Sequence, residues 1–204
     1  MPLRAALVDV VAEAHNDAAF AEATFAQRTT IRRASVKDIP ALASIVNDAV
    51  AARSAFDERP QSEAGIRRWY DEHDGRYVLL VAVDPDGDVI GCASLNRYHP
   101  EFDTSGGVAD VKCFLGLGVQ RRGIGTMLVA ELERHARQND FHKLVARAFP
   151  ANRGSRKLLR KFGFRVVGVH KRDAVIDGDY VDVMLLEKLL SPGKYRVGVP
   201  TKGA

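Results

Sequence analysis

The chain has 204 residues, of which 46% are hydrophobic and 27% charged, with 30 Lys and Arg against 26 Asp and Glu for a formal net charge of +4. That length fits one hydrophobic core with terminal extensions, the composition excludes wholesale disorder and a fibrous protein, and the small basic excess suits an anionic partner without singling out nucleic acid. Cys92 and Cys113 sit in separate apolar runs with no Cys-x-x-Cys partner, which speaks against a disulfide framework and a zinc site, and no apolar run approaches the roughly 18 residues that span a bilayer.

The opening segment carries Asp9, Glu13, Asp17 and Glu22, acids that signal and transit peptides lack, so a cytoplasmic protein without a membrane partner is expected. Residues 1–30 are Ala-rich with apolar positions at roughly helical spacing and read as an N-terminal helical extension, either an oligomerisation arm or an appendage. Ile31 to Ala34 reads as a short strand, followed by a Ser35-Val36-Lys37-Asp38 capping box and an amphipathic helix from Ile39 to Ala51. Phe56 to Ser62 is a loop and Glu63 to His73 a second helix, with Trp69 facing the core. Tyr77 to Val83 and Val89 to Leu95 form a hairpin across Asp84-Pro85-Asp86-Gly87-Asp88. Val108 to Leu115 is another strand, Thr126 to Gln138 a helix, Lys143 to Phe149 a strand, and Ser155 to Phe162 a helix ending at Gly163. Phe164 to Val169 and Tyr180 to Leu186 complete the sheet, and residues 191–204 read as a tail. The expected fold is α/β (α+β): a mixed, mostly antiparallel sheet with one central parallel pair at Lys143 and flanking helices, within a domain of residues 31–190.

The most informative stretch is Gln120-Arg121-Arg122-Gly123-Ile124-Gly125-Thr126, between a strand and an amphipathic helix. Two glycines let the chain turn tightly and approach a ligand, so that successive N–H groups at the helix start can point at phosphate oxygens. Neither a Walker nor a Rossmann pattern is present.

Gln-x-x-Gly-x-Gly after such a strand resembles the pyrophosphate-binding motif of the GNAT acetyltransferases. Asn152, Ser155 and the run from Leu158 to Phe164 are similar to the family's later segment, and the element order from Ile31 to Leu189 also matches. Phe56 to Ser62, Gly91 to Leu95 and Gly178 to Met184 resemble the phosphinothricin and L-amino acid N-acetyltransferase branch. The resemblance implies acetyl-CoA as cosubstrate, held by Gln120, Arg121, Arg122, Gly123, Ile124, Gly125 and Thr126, by Asn152 and Ser155, and by the backbone of Cys113, Phe114 and Leu115.

Acetyl transfer requires a neutral amine, a polarised thioester carbonyl and a stabilised thiolate. By resemblance Asp110 stands where an acidic residue, usually Glu, serves as base; it is open whether it acts through water or is a strand-end carboxylate. Leu159 stands where many relatives carry Tyr or His to protonate the thiolate, leaving water or Tyr180 as substitutes. For the acceptor, the candidates are Phe56 and Glu58 in the loop that overhangs the site in relatives, and Arg97 and Tyr98 after the third strand; Arg97 either pairs with an acceptor carboxylate or phosphinate or is a solvated loop residue. His135 and His142, seven apart, read as surface groups, and no metal is expected.

Arg153, Arg156, Lys157, Arg160, Lys161 and Arg165 form a basic cluster with three readings: a solvated face, attraction for the nucleotide 3′-phosphate, or nucleic-acid contact, the last disfavoured because no aromatics interleave it. The sequence therefore points to an N-acetyltransferase acting on a small primary amine such as an amino acid or phosphinothricin-like analogue, and a homodimer is the expectation for its assembly. The alternatives are a protein, polyamine or antibiotic amine as acceptor, or an acetyl-CoA sensor without turnover.

Overall fold

The computed structural model describes residues 25–55, 59–73, 75–101 and 106–191. Most of the expected N-terminal extension, the tail beyond residue 191, and Phe56 and Glu58 lie outside these described residues. Seven strands, β1 (Thr30–Arg33), β2 (Leu79–Val83), β3 (Val89–Arg97), β4 (Val108–Leu115), β5 (Lys143–Ala148), β6 (Arg165–Ile176) and β7 (Asp179–Leu189), form one sheet in the order β1-β2-β3-β4-β5-β7-β6. Every pair is antiparallel except β4 with β5, as a strand-helix-strand crossover between them dictates. The helices are α1 (Ile39–Ala51), α2 (Glu63–Asp71), α3 (Ile124–Gln138) and α4 (Arg153–Lys161).

The strand alternation sorts the helices into two layers. Leu79, Val81 and Cys92 point to one face and pack with Ile39, Leu42, Ile45 and Val46 of α1 and Ile66 of α2. Leu80, Ala82, Ala93, Leu95, Ala109 and Val111 point to the other, against Ile124, Leu128 and Leu132 of α3 and Leu159 of α4. Each sheet face thus buries its apolar set under helices, and a one-residue register slip would exchange the two sets.

The chain enters α1 through a 3-10 turn, Val36–Asp38, rather than directly. Asp38 is buried there and accepts from the Ser35 N–H (2.7 Å), the Ser35 hydroxyl (3.0 Å) and both terminal nitrogens of Arg32 (2.7 and 2.9 Å). The sequence reading held the capping box but not the arginine, which arrives from β1. His135 differs from its expected surface position: it is 8% exposed, on the inner side of α3, with its Nε2 3.2 Å from Asn139 Nδ2.

The last two strands outrun their expected lengths of 164–169 and 180–186. Only Met184–Leu189 of β7 pairs with β5, and the remainder pairs with β6 alone; the β6–β7 register shifts at Val166/Gly168, beside β5, and at His170/Ala174, beyond it. This ribbon projects past the sheet, and Asp177 at its tip is held by Arg53 after α1, with Arg53 Nε 2.7 Å from Asp177 Oδ2. The polar run His170-Lys171-Arg172-Asp173 shows no apolar alternation because no core covers it.

Candidate active site

The site begins where two parallel strands part. β4 pairs with β3 from Ala109 to Leu115 but with β5 only from Val108 to Val111. Residues 112–115 therefore turn one backbone edge, with no strand on it, into a cleft between β4 and β5. Those peptide groups need partners from outside the sheet. Cys113, Phe114 and Leu115 all lie on this open edge. The side chain of Cys113 is committed to the α3 face, where burial pushes its thiol up to about 12, so it is no nucleophile.

At the far end of β4 the chain turns into α3. Gln120 spans the turn, accepting from the Gly118 N–H (3.1 Å) and donating to the Gly116 carbonyl (2.8 Å); its side chain braces the loop. Gly123 precedes the helix with φ +85, where a side chain would be strained, and Arg121 accepts the same region at φ +65. The first helical amides turn inward only at Thr126, which donates to the Gly123 carbonyl. Among the described residues, the five preceding N–H groups, from Arg121 to Gly125, have no protein acceptor. A helix start with a run of free amides carries partial positive charge and binds anions. Gly125 is required for a second reason: a Cβ there would sit 3.2 Å from Leu158 of α4 and 3.6 Å from Leu115. Arg122 lies 5.2 Å over the Phe25 ring, against the same loop.

Because β4 and β5 run parallel, the loop after β5 opens at the same end as the glycine turn. There Asn152 caps α4 by accepting from the Ser155 N–H (3.0 Å), and Arg153, Lys157, Arg160 and Lys161 stand exposed on that helix. Arg156 donates to the Pro150 carbonyl (2.9 Å) and Arg165 is bound to Glu187, so the basic cluster is only partly open.

At the other end, where the strands begin to part, polar side chains gather on the face toward α1 and α2. Asp110 of β4 is buried, opposite Asn96 of β3 and Val145 of β5. Asn96 donates to the Asp110 carbonyl (3.0 Å) and the Ser94 hydroxyl (2.9 Å), and accepts from the Trp69 indole (3.0 Å). Trp69 is thus a core residue with a polar handle on the site. The Trp69 carbonyl in turn engages His73 Nδ1 at 2.6 Å, while His73 Nε2 is sealed from solvent with no hydrogen-bond partner among the described residues; burial holds this ring's pKa below its ordinary value, so it is neutral. Burial raises the Asp110 pKa from its ordinary value, and Arg147 of β5, 3.5 Å away, and Lys112 work in the opposite sense.

Asn96, His73, Arg147 and Lys112 were absent from the sequence candidates. The signal for two of them was legible: a single charge in the middle of an apolar strand, Val111-Lys112-Cys113 and Ala146-Arg147-Ala148, is costly unless a partner or a ligand meets it.

The remaining candidates are scattered. Arg97 lies opposite Ala109, on the α3 face, with its guanidinium 4.4 Å over the Tyr77 ring; Asp110 points the other way. Tyr98 follows it, stacked edge-on against His99 at 4.2 Å. Tyr180 is 71% exposed near the hairpin tip, seven residues along β7 from Glu187, which lies level with Asp110; at about 3.3 Å per residue that is roughly 23 Å along the strand. Leu159 is 5% exposed in the core, so no acid stands at its position.

A family model described as "Acetyltransferase (GNAT) domain" matches residues 28–165, spanning the open edge of β4, the glycine turn and the Asn152 cap. The chain belongs to the GNAT acetyltransferase family. It is 30% identical over 165 residues to an L-methionine sulfoximine/L-methionine sulfone acetyltransferase of Pseudomonas aeruginosa, covering 80% of this chain and 95% of that protein. It is likewise 30% identical over 166 residues to a phosphinothricin N-acetyltransferase of Streptomyces coelicolor, covering 78% of this chain and 95% of that one. Among solved structures, a GNAT superfamily phosphinothricin acetyltransferase from Sinorhizobium meliloti in complex with acetyl-CoA superposes with a TM-score of 0.76 at 25% identity, over 86% of this chain and 95% of that chain. As a GNAT acetyltransferase the protein is an acyltransferase whose cosubstrate is acetyl-CoA.

Proposed function

We propose that the enzyme transfers the acetyl group of acetyl-CoA to the primary amine of a small amino acid or a phosphinothricin-like analogue, in the manner named for its Pseudomonas and Streptomyces relatives. The observation that carries this reading is the parting of β4 from β5 with a buried carboxylate, Asp110, at its root and a run of free amides at its far end.

In this reading the amides from Arg121 to Gly125 hold the pyrophosphate, with Gln120 bracing the turn and Thr126, Arg121 and Arg122 beside it. The backbone of Cys113, Phe114 and Leu115 holds the pantetheine arm along the open edge, and Asn152 and Ser155 border it from α4. The cosubstrate supplies an activated acyl group. The protein's own part is to take the amine's proton, which Asp110 does directly or through one water. Arg147 keeps that carboxylate available as a base despite its burial. Leu159 offers no proton to the thiolate, so that proton is drawn from water.

The enzyme is placed in the cytoplasm; among the described residues no helix is long and apolar enough to cross a membrane. The exposed Val166, Val167, Val169 and Val175 of β6 support a homodimer. Calorimetric titration with acetyl-CoA, wild type against a Gly123→Ala, Gly125→Ala double variant, followed by mass analysis of products from a panel of amines, tests the whole reading. Micromolar binding lost in the folded variant and N-acetylated amino acids as products are expected. Binding without turnover of any amine would instead make the protein a sensor, and no binding would overturn the reading.

A further inference from the structure

We infer that Lys112 is the anchor for a carboxylate on the acceptor, so that the enzyme selects amines bearing a carboxylate on the neighbouring carbon. This rests on the acetyltransferase reading above and assigns it a specificity residue.

Lys112 sits where the buried run Ala109–Val111 of β4 ends, half-buried itself, and among the described residues it makes neither an ion pair nor a hydrogen bond. An ammonium held there for structure alone would carry a partner, because a charge withdrawn from water without one is costly. Strand alternation puts Lys112 on the same face as Asp110, two residues or about 6.7 Å along the backbone. On β5, Arg147 lies two residues past Val145, the partner of Asp110, and so stands level with Lys112 across the parting of the strands. The root of the cleft therefore holds two cations and one carboxylate. Arg147, at 3.5 Å from Asp110, accounts for that carboxylate, and the charge of Lys112 is the one left over.

An α-amino acid satisfies this arrangement in one pose. Its amine and carboxylate share a single carbon, so with the amine offered to Asp110 the carboxylate lies within the sweep of a flexible ammonium. The pairing is made inside a half-buried site, where a charge-assisted hydrogen bond is stronger than in water. Arg97, the cation that its place in the sequence recommends, faces the opposite layer and packs over Tyr77. Among the described residues nothing else on the α1 and α2 face of β3 and β4 offers a positive charge: the neighbours there are Ser94, Asn96, Trp69 and a neutral His73.

The test uses paired acceptors: L-methionine sulfone, L-methionine sulfoximine and phosphinothricin, each beside its α-carboxamide, with coenzyme A release followed in the wild type, Lys112→Met and Lys112→Arg. We expect the wild type to prefer each acid to its amide by at least about tenfold in kcat/KM. Lys112→Met should collapse that ratio through a rise of about 10- to 100-fold in KM for the acids, and Lys112→Arg should restore most of it. Acetyl-CoA affinity measured on the same preparations shows that the variants are folded. If the wild type takes the amides as readily as the acids, or if Lys112→Met lowers kcat equally on both members of a pair, the anchor is overturned while the acetyltransferase reading stands; the second result would assign Lys112 to the thioester carbonyl. If the wild type acetylates none of these acceptors, the amino acid reading itself falls.

Discussion

Two opposing influences act on Asp110. Burial disfavours its charge and raises its pKa, while Arg147 and Lys112 favour the charge. A base in that position must be ionised to act, so activity falls as the pH drops through its pKa, and the raised value moves that loss to higher pH than an ordinary carboxylate would show. Asp110→Asn should lower kcat by about 100-fold, within the span that a positioned base contributes, and should remove the carboxylate's part of the acid limb in a pH profile of kcat/KM. Acetyl-CoA affinity should survive the change, since the free amides of Arg121 to Gly125 lie at the other end of β4; loss of cosubstrate binding in step with activity would argue instead that Asp110 serves the fold. Asp110 was reached from the sequence through the family resemblance, which puts a carboxylate at the start of the central strand. Its partners Arg147 and Asn96 come from strands on either side, 37 positions later and 14 earlier in the chain, and no local pattern joins them.

The entry to α1 shows the same division between local and non-local information among the elements. Ser35 and Asp38 announce a helix start, because their spacing lets side chain and backbone satisfy each other's orphan groups. The clamp by Arg32 depends on β1 running back beside that turn. Together these hydrogen bonds hold the Asp38 carboxyl at about 2, below its ordinary 3.8. A depressed carboxylate contributes stability above its unfolded pKa and loses it as the pH falls through the folded value. Asp38→Asn should therefore lower the Tm at neutral pH by roughly 4 to 8 °C, from about 2 kcal/mol in a domain of this size, and the gap from the wild type should close between about pH 4 and pH 2. A Tm difference independent of pH would show that shape rather than charge is what Asp38 supplies. The β6–β7 hairpin is the opposite case. Its outer part has no core to impose alternation, so its length was invisible in the sequence, and its tip is placed by the Arg53–Asp177 pair, whose members are 124 positions apart.

At the scale of the whole molecule, β4 and β5 pair only from Val108 to Val111 and then part, and in the proposed function that parting is where acetyl-CoA lies. A ligand that fills the cleft binds only the folded chain. Acetyl-CoA at about 100 times its Kd should accordingly add about 2.7 kcal/mol, seen as a rise in Tm of roughly 5 to 10 °C. The Gly123→Ala, Gly125→Ala variant should show little of this rise, because φ +85 at Gly123 and the 3.2 Å approach of Leu158 to a Cβ at Gly125 both distort the turn. An equal rise in that variant would place the cosubstrate elsewhere.

By itself the sequence determined the element order, the mixed sheet with its single parallel pair, and the glycine turn, since each is written in patterns a few residues long: alternation of period two or 3.6, capping spacings, and glycines where the backbone must turn. Only the tertiary structure decided which face each strand residue presents to which layer, and therefore that Arg97 stands away from Asp110 while Lys112 and Arg147 flank it. The physical reason is that a side chain's partner across a sheet is set by strand register, which joins residues tens of positions apart and leaves no trace in the spacing along the chain.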